Sequence, residues 1–231
     1  MAIQIDEMDA KSAFTYAVDQ GVAVITFDQV GEPVNTLSPK VGPEFDQLLS
    51  RARDDAAVVA VVFTSGKKDN FIAGAKIDFL QQITSAGEAE KVSRDAQRRF
   101  NALAAFAKPV VVAIHGSCLG GGFEWALACS YRLASDSPKT TLGSPEVQLG
   151  LIPGAGGTQR IAQLAGAQAA LDLILTGKSI RPQKAKKLGL VDEVVPAPIL
   201  LDVAKQRARE LASGALRPDR QRGLVAGAKG V

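Results

Sequence analysis

The sequence predicts an α/β fold with a sheet core and a helical C-terminal third. Two runs, residues 58–64 and Val110–Ile114, are apolar on both faces, as expected of strands buried within a sheet. Strands, turns and helical segments alternate along the chain, and no internal repeat is evident. With 231 residues, 46% of them apolar, the chain can form one domain with a sizeable core.

The local signals for individual elements are clearest in the first half. Two apolar runs flank residues 19–21 and predict a β-hairpin. Ser38 and Pro39 predict the start of a helix, as its N-cap and first residue. Ser85 and Glu88 have the spacing of a capping box at the start of a long helix. Periodicity predicts the other elements, with strands at 14–18, 21–27, 58–64, 110–114, 131–134, 141–142 and 191–195, and helices at 85–107, 124–128, 153–164, 167–175, 181–188 and 199–211.

A glycine-rich turn follows the strand Val110–Ile114. The triplet Gly120-Gly121-Gly122 lies just before Glu124, where helical spacing begins. Such a turn presents unpaired N–H groups at the positive end of a helix, and no Cβ keeps a ligand away. We expect an anion, or an oxygen that becomes anionic, to bind there. A tight packing turn between a strand and a helix is the alternative interpretation.

The spacing excludes three common motifs. A dinucleotide fingerprint needs G-x-G-x-x-G, which neither residues 120–124 nor the second glycine-rich stretch, 154–157, provides. A P-loop would need a glycine where Asp172 stands, ahead of residues 177–179. A nucleophile elbow needs G-x-S-x-G, and Ser117 is one residue out of place.

Composition excludes several further classes of function. The net charge of +3 is mild and interspersed, which suits a polyanionic small molecule but gives no nucleic-acid footprint. No run approaches the ~18 apolar residues of a membrane span, and the acidic N-terminus is unlike a signal peptide. Two cysteines, Cys118 and Cys129, give no disulfide framework, so we expect a reducing cytoplasm. His115 is the single histidine, so we expect no metal site and interpret it as a hydrogen-bonded residue at a strand end.

Three motifs in order, F-I-A-G-A, H-G-S-C-L-G-G-G-F-E and S-P-E-V-Q-L-G-L-I-P-G-A-G-G-T-Q-R, resemble the crotonase (enoyl-CoA hydratase/isomerase) family. The resemblance covers residues 15–211. It implies an α/β crotonase-like spiral of β-β-α turns with a helical C-terminal portion, spanning residues 1–212. The stretches L-A-C-S-Y-R and I-L-T-G-K-S-I-R-P-Q-K-A-K-K-L-G-L-V-D-E-V-V-P resemble one branch in particular, the N-terminal hydratase domain of the α-subunit of the multifunctional fatty-acid oxidation complex.

The resemblance implies which residues form the site. Glu124, directly after G-G-G-F, and Glu146, in S-P-E, correspond to the catalytic pair, while the amides of Ala75 and Gly121 correspond to the oxyanion hole. Two amides on separate loops can bind one thioester oxygen and stabilise its enolate. The two carboxyls can hold a water, one taking its proton and the other supplying one to the substrate. Contacts with the substrate are expected from Ala73, Gly74, Ala75, Lys76, Ile77, Asp78, Gly120 and Gly122.

The implied function is enoyl-CoA hydration, in which water adds to trans-2-enoyl-CoA to give 3-hydroxyacyl-CoA, with 3-enoyl to 2-enoyl isomerisation as a side activity. Hydration would need no cofactor, because coenzyme A is part of the substrate. Residues 213–231 are expected to be a linker toward an NAD-dependent 3-hydroxyacyl-CoA dehydrogenase region that this chain lacks. Expected partners are a thiolase β-subunit in the full complex, or further copies of the chain. The alternative is a non-catalytic crotonase-fold module that binds protein or RNA, which both glutamates and the unclustered charge disfavour.

Some residues depart from the family pattern. Lys76 stands where an acid is usual, and it either attracts a phosphate of coenzyme A or is solvated. Phe123 and Trp125 replace smaller residues beside the glutamate, so we expect them to alter the width of the pocket. We also expect the last helix to expose an apolar stripe that the core does not wholly cover, formed by Ile199, Leu200, Val203, Ala204 and Leu211.

Overall fold

The computed structural model describes residues 4–5 and 12–218. Within these residues the strands are β1 (Gln4–Ile5), β2 (Phe14–Asp19), β3 (Val22–Phe27), β4 (Ala60–Ser65), β5 (Asn70–Ile72), β6 (Val110–Ile114), β7 (Ser117–Leu119), β8 (Tyr131–Ser135), β9 (Thr141–Gly143), β10 (Ser179–Ile180) and β11 (Glu193–Val195). The α-helices are α1 (Val41–Asp54), α2 (Ile77–Gln81), α3 (Ala86–Ala104), α4 (Gly121–Ala128), α5 (Gly157–Ala165), α6 (Ala167–Thr176), α7 (Pro182–Lys187) and α8 (Leu200–Ala212). Short 3₁₀ helices lie at Pro145–Leu149 and Ala197–Ile199.

The strands form two sheets that are wound as a spiral. One sheet has the order β1-β2-β3-β4-β6-β8-β11, and the other has the order β10-β9-β7-β5. Three successive strand pairs, β4 with β5, β6 with β7 and β8 with β9, each place their first strand in the larger sheet and their second in the smaller one. A helix follows each pair, so the expected β-β-α spiral is confirmed. Equivalent strands are parallel, and the loops that follow β5 and β7 therefore leave the smaller sheet side by side.

Aromatic packing fills the main core. Trp125 stacks on Phe63, with ring centroids 4.9 Å apart, and meets Phe45 edge-on at 4.6 Å. Phe100 of α3 also reaches the indole ring, at 5.7 Å. Both Phe123 and Trp125 are buried members of this core. Both rings therefore fix α4 in the core. The ring contacts of Trp125 stabilise the fold beyond the free energy that its buried area alone provides.

A second, smaller core lies on the other face of the larger sheet. Helix α8 packs there through Leu200, Ala204 and Ala208, which are all buried, and Val203 and Leu211 are partly buried against the same cluster. The expectation of an uncovered apolar stripe is therefore wrong for most of its members. Four of the sheet residues that receive α8, namely Ala60, Val62, Val111 and Ala113, belong to the two strands predicted to be apolar on both faces, which explains why those strands lack alternation.

Several element boundaries differ from the sequence prediction. Helix α1 begins at Val41 rather than Pro39, because residues 38–40 form a turn in which the Val41 N–H donates to the Ser38 carbonyl at 3.1 Å. The capping box of Ser85 and Glu88 is confirmed at the start of α3. The turn after β6 was expected to lead straight into a helix, but β7 lies between them. None of the helices in the described part of the chain is long and apolar enough to cross a membrane.

Candidate active site

Glu124 is a buried carboxyl held by backbone amides. It lies in the first turn of α4 and is only 3% exposed. Its Oε1 accepts hydrogen bonds from the N–H groups of Ala155, at 2.8 Å, and Gly157, at 2.7 Å. Gly157 is the first residue of α5, and Ala155 lies just before its N-cap, so the carboxyl faces a helix start where free amides and the helix dipole favour negative charge. One carboxyl oxygen is thereby fixed, and Oε2 remains for other partners.

Close packing explains the glycine at position 157. A Cβ on Gly157 would lie 2.7 Å from Cγ of Glu124, far inside van der Waals contact. Only a residue without a side chain lets the start of α5 approach the carboxyl closely enough for its amides to donate. The second glycine-rich stretch of the sequence therefore serves to hold Glu124.

The surroundings raise the pKa of Glu124 from 4.5 to about 7. Burial is the largest cause, because removing a carboxyl from water disfavours its charged form. The hydrogen bond from Gly157 opposes that rise, repulsion from Glu146 adds to it, and the Ala155 bond and the charge of Arg160 oppose it again. Glu124 therefore changes its protonation state near neutral pH, where a catalytic acid or base is most effective.

Glu146 is the second carboxyl, in the first turn of the 3₁₀ helix that follows β9. Burial raises its pKa above the ordinary value. Its Oε2 is buried, and no donor or acceptor among the described residues reaches that atom. A Cβ on Gly120 would lie 3.1 Å from Oε1 of Glu146, and one on Gly121 would lie 4.0 Å from Oε2 of Glu124. Two neighbouring glycines thus each face one of the two carboxyls, and the structure brings the predicted pair together.

The two loops predicted to form an oxyanion hole are also adjacent. Gly74 has φ +107°, and Gly120 has φ +52°; both values lie in the region that favours glycine. A Cβ on Gly120 would lie only 3.7 Å from the Cα of Gly74. The loops after β5 and β7 therefore lie directly against each other.

The amides of Ala75 and Gly121 are available for a ligand. Leu37 donates to the Gly74 carbonyl and accepts from the Lys76 N–H, both at 2.8 Å, so the N–H of Ala75 between them faces away from Leu37. Gly121 is the first residue of α4, so its N–H has no acceptor within the helix. Among the described residues neither amide has a hydrogen-bond acceptor.

The other predicted contact residues differ in their surroundings. Gly122 is buried, and a Cβ there would lie 2.6 Å from Cβ of Ile72, so the packing-turn interpretation explains this glycine. The Lys76 ammonium lies 3.2 Å from a carboxylate oxygen of Glu32, so it is paired as well as solvated. Ile77 is 55% exposed at the start of α2.

Ala73 and Asp78 complete the set of predicted contacts. The Ala73 N–H donates to the carbonyl of Asn35, which holds this loop against the preceding segment. Asp78 is exposed in the first turn of α2. Whether these residues contact a substrate stays a prediction.

Two other expectations concern His115 and metal binding. A ring nitrogen of His115 contacts the carbonyl of Lys67, which agrees with its interpretation as a hydrogen-bonded residue after β6. In residues 4–5 and 12–218 there is no group of three or more His, Cys, Asp or Glu side chains arranged to hold a metal ion.

Sequence reasoning missed the two amides that hold Glu124. Ala155 and Gly157 lie in a glycine-rich stretch that lacks the spacing of a nucleotide-binding motif and predicts the start of a helix. A glycine-rich helix start is itself an anion-binding feature, and that signal could have identified them. It could not have shown that the anion would be a side chain more than 30 residues earlier in the chain.

Known proteins resemble this chain in sequence. The sequence profile of the enoyl-CoA hydratase/isomerase family matches residues 17–220. The fatty acid oxidation complex subunit alpha of Shewanella baltica (strain OS185) is 52% identical over 190 residues, which cover 82% of this chain. The match spans only 27% of that relative, in its N-terminal region.

Solved structures share the fold as well. A structure of an enoyl-CoA hydratase from Geobacillus kaustophilus HTA426 superposes with a TM-score of 0.83 at 30% identity, covering 91% of this chain and 77% of that one. An enoyl-CoA hydratase from Bacillus anthracis superposes with a TM-score of 0.77 at 32% identity, covering 91% of this chain and 76% of that one.

The raised pKa of Glu124 predicts how stability depends on pH. Between 4.5 and about 7 the folded chain keeps a proton on Glu124 that the unfolded chain has released, so the free energy of unfolding falls as pH rises through this range. A pKa shift of this size lowers the free energy of unfolding by roughly 3 kcal/mol across the range. Glu124→Gln keeps the acceptor oxygen but cannot ionise, so its melting temperature should exceed that of the wild type by an amount that grows with pH.

Thermal melts of both proteins across that pH range measure this difference. Glu90→Gln, at an exposed position of α3, is the matched control and should follow the wild type. A constant difference between Glu124→Gln and wild type at every pH would show that Glu124 does not carry the shifted pKa.

Proposed function

The chain belongs to the enoyl-CoA hydratase/isomerase family, and from this premise we propose that it adds water to a trans-2-enoyl-CoA thioester to give the 3-hydroxyacyl-CoA. The observation that carries the proposal is that the carboxyls of buried Glu124 and half-buried Glu146 and the available amides of Ala75 and Gly121 all lie around the adjacent glycines Gly120 and Gly121. Isolated buried carboxyls are costly, so a pair placed at one point of a fold points to acid–base chemistry.

The amides activate the substrate. A thioester oxygen placed between the loops accepts hydrogen bonds from the N–H groups of Ala75 and Gly121. These bonds strengthen as the oxygen gains the negative charge of an enolate. A donor of this kind is worth roughly 3–4 kcal/mol of transition-state stabilisation in comparable sites. Because both donors are backbone groups fixed by sheet pairing and helix geometry, little reorganisation accompanies the reaction.

The two carboxyls divide the proton transfers. Glu124 accepts two N–H bonds, which oppose the rise that burial causes in its pKa and leave it partly ionised at neutral pH, and we assign it as the base that takes a proton from water as the oxygen attacks Cβ. Glu146 has a buried oxygen that no donor among the described residues reaches, which favours its protonated form, and we assign it as the acid that protonates Cα. The cycle closes when the proton gained by Glu124 returns to Glu146.

The same groups support isomerisation as a side activity. Moving a double bond from position 3 to position 2 requires removal of a proton from Cα and delivery of a proton to Cγ. An ionised carboxylate beside an enolate-stabilising pair of amides supplies both. Neither this reaction nor hydration needs a cofactor, because coenzyme A is part of the substrate.

The position of the match within its relatives suggests a larger protein. We propose that residues 1–212 are the hydratase domain of a fatty-acid oxidation α-subunit, and that residues 213–231 lead toward an NAD-dependent dehydrogenase region. Most of that linker, 219–231, lies outside the described residues. A thiolase β-subunit and further copies of this chain are the partners we propose for the assembled protein. The relative's name, a complex subunit, supports this assignment.

Removal of either carboxyl should abolish efficient hydration. We expect Glu124→Gln and Glu146→Gln each to lower kcat for crotonyl-CoA roughly 10²–10⁴-fold, while the substrate still binds, because each variant loses one proton transfer. Glu90→Gln, on exposed α3, serves as the control and should keep full activity. Near-wild-type turnover in either variant would remove that residue from the mechanism, whereas a wild type without any turnover would favour a non-catalytic crotonase-fold module.

Gly121 offers a test of the oxyanion hole. Its φ is not in the left-handed region, so Gly121→Val should fold; a Cβ there would lie 3.0 Å from a terminal methyl of Leu37. The added side chain obstructs the thioester position, so kcat/KM should fall sharply while the circular dichroism spectrum is retained. Leu37→Ala in the same background relieves the contact and distinguishes obstruction from misfolding. Global unfolding of both variants would mean that Gly121 is needed for packing alone.

A further inference from the structure

We propose that Ser93 and Gln97 of α3 are positioning residues for Glu124, acting through the single peptide unit that joins Gly154 to Ala155. The inference rests on the proposed role of Glu124 as the base. Neither side chain hydrogen-bonds to Glu124 itself; both act on it through the intervening peptide.

The contacts form one continuous path. The Gly154 carbonyl accepts from Oγ of Ser93 at 2.5 Å and from Nε2 of Gln97 at 2.8 Å. Gln97 also donates to Oγ of Ser93 at 3.2 Å, so the two side chains are tied together. At the other end of the same peptide unit, the Ala155 N–H donates to Oε1 of Glu124 at 2.8 Å.

The geometry of a peptide makes this path functional. A trans peptide is planar, and its C=O and N–H point in opposite directions, so fixing the oxygen of Gly154 fixes the direction of the Ala155 N–H. Two donors at the oxygen also polarise the peptide and strengthen donation at the nitrogen, by roughly 10–30% per bond in such chains. Ser93 and Gln97 therefore both orient and strengthen the hydrogen bond from the Ala155 N–H to Glu124, which favours the ionised carboxyl.

The polar face of α3 fits this role. Ser93 and Gln97 are four residues apart and so share one face of the helix. The buried side chains of α3, Phe100 and Leu103, lie nearer its C-terminal end. Ser93 donates its hydroxyl to the loop before α5, whereas a helical serine commonly bonds to the preceding turn of its own helix.

Arg160 anchors the neighbouring peptide in the same way. Its Nη1 donates to the Ala155 carbonyl at 3.1 Å, and its Nη2 donates to Oδ1 of Asn101 at 2.6 Å. The charge of Arg160 favours the ionised form of Glu124, and Glu146 disfavours that form when it is itself ionised. Since neither charge changes when Ser93 or Gln97 is replaced, the path through Gly154 can be tested by itself.

The test replaces the two donors and titrates Glu124 directly. Ser93→Ala and Gln97→Met remove the donors, separately and together, and Arg98→Met is the matched control at an exposed position on the same helix. In a Glu146→Gln background labelled with ¹³C at the glutamate carboxyls, the Glu124 resonance is assigned by its loss in Glu124→Gln. We expect its pKa to rise by roughly half a unit or more in the double variant, and by less in each single variant.

Kinetics provide the second readout, in the chain with Glu146 intact. With crotonyl-CoA, kcat should fall several-fold and the acid limb of the kcat/KM profile should move to higher pH, while KM stays unchanged because neither side chain is placed at the substrate. Ser93→Thr, which keeps a hydroxyl, should retain wild-type behaviour.

The outcomes separate this inference from the proposed function. A folded double variant with an unchanged Glu124 titration overturns the inference, and so does lower thermal stability with lower activity but no shift in that titration. If the double variant does not fold, the Glu124 titration is measured in Gln97→Met, at an exposed position, and an unchanged pKa there overturns the inference. If Glu124→Gln proves fully active, the proposed base is wrong, yet the carboxyl titration still shows whether α3 sets the protonation of Glu124.

Discussion

The burial of the Glu124 carboxyl is the constraint on which the rest of the site depends. A carboxyl removed from water needs donors that replace its hydration, and the start of α5 supplies two of them. To reach the carboxyl, α5 must approach α4 without a side chain at Gly157, and its loop must be held from the far side by Ser93, Gln97 and Arg160. Helices α3, α4 and α5 therefore pack around the carboxyl of Glu124.

The β-β-α spiral supplies the second requirement, which is convergence. Because β5 and β7 are parallel neighbours in the smaller sheet, the loops that follow them leave at the same edge, and Ala75 and Gly121 arrive side by side. The element after β9, the next strand of that sheet, brings Glu146 to the same place. Each turn of the spiral contributes one part of the site, so the chemistry follows from the repeated geometry although no repeat is visible in the sequence.

Local features of the site could be predicted from the sequence, and long-range ones could not. Glu124, Glu146 and the two glycine loops lie in short motifs whose residue types match their chemistry. Most strands of the larger sheet and the capping box of α3 followed from periodicity and spacing, whereas the short strands β5 and β7 did not. In contrast, the bonds from Ser93 to Gly154 and from Ala155 to Glu124 join segments 61 and 31 residues apart, and they use backbone atoms that every residue has. The expected exposure of the apolar stripe of α8 was wrong for a related reason, since an apolar helix face does not reveal which sheet will cover it.

We propose that one thioester oxygen binds between the amides of Ala75 and Gly121, beside the two carboxyls. A crystal structure with butanoyl-CoA, which is saturated and cannot be hydrated, tests this most directly. We expect the thioester oxygen at about 3 Å from both amide nitrogens, with the acyl Cα facing Glu146 and the acyl Cβ facing Glu124. A thioester bound elsewhere, with neither amide donating to it, would show that these amides do not form an oxyanion hole.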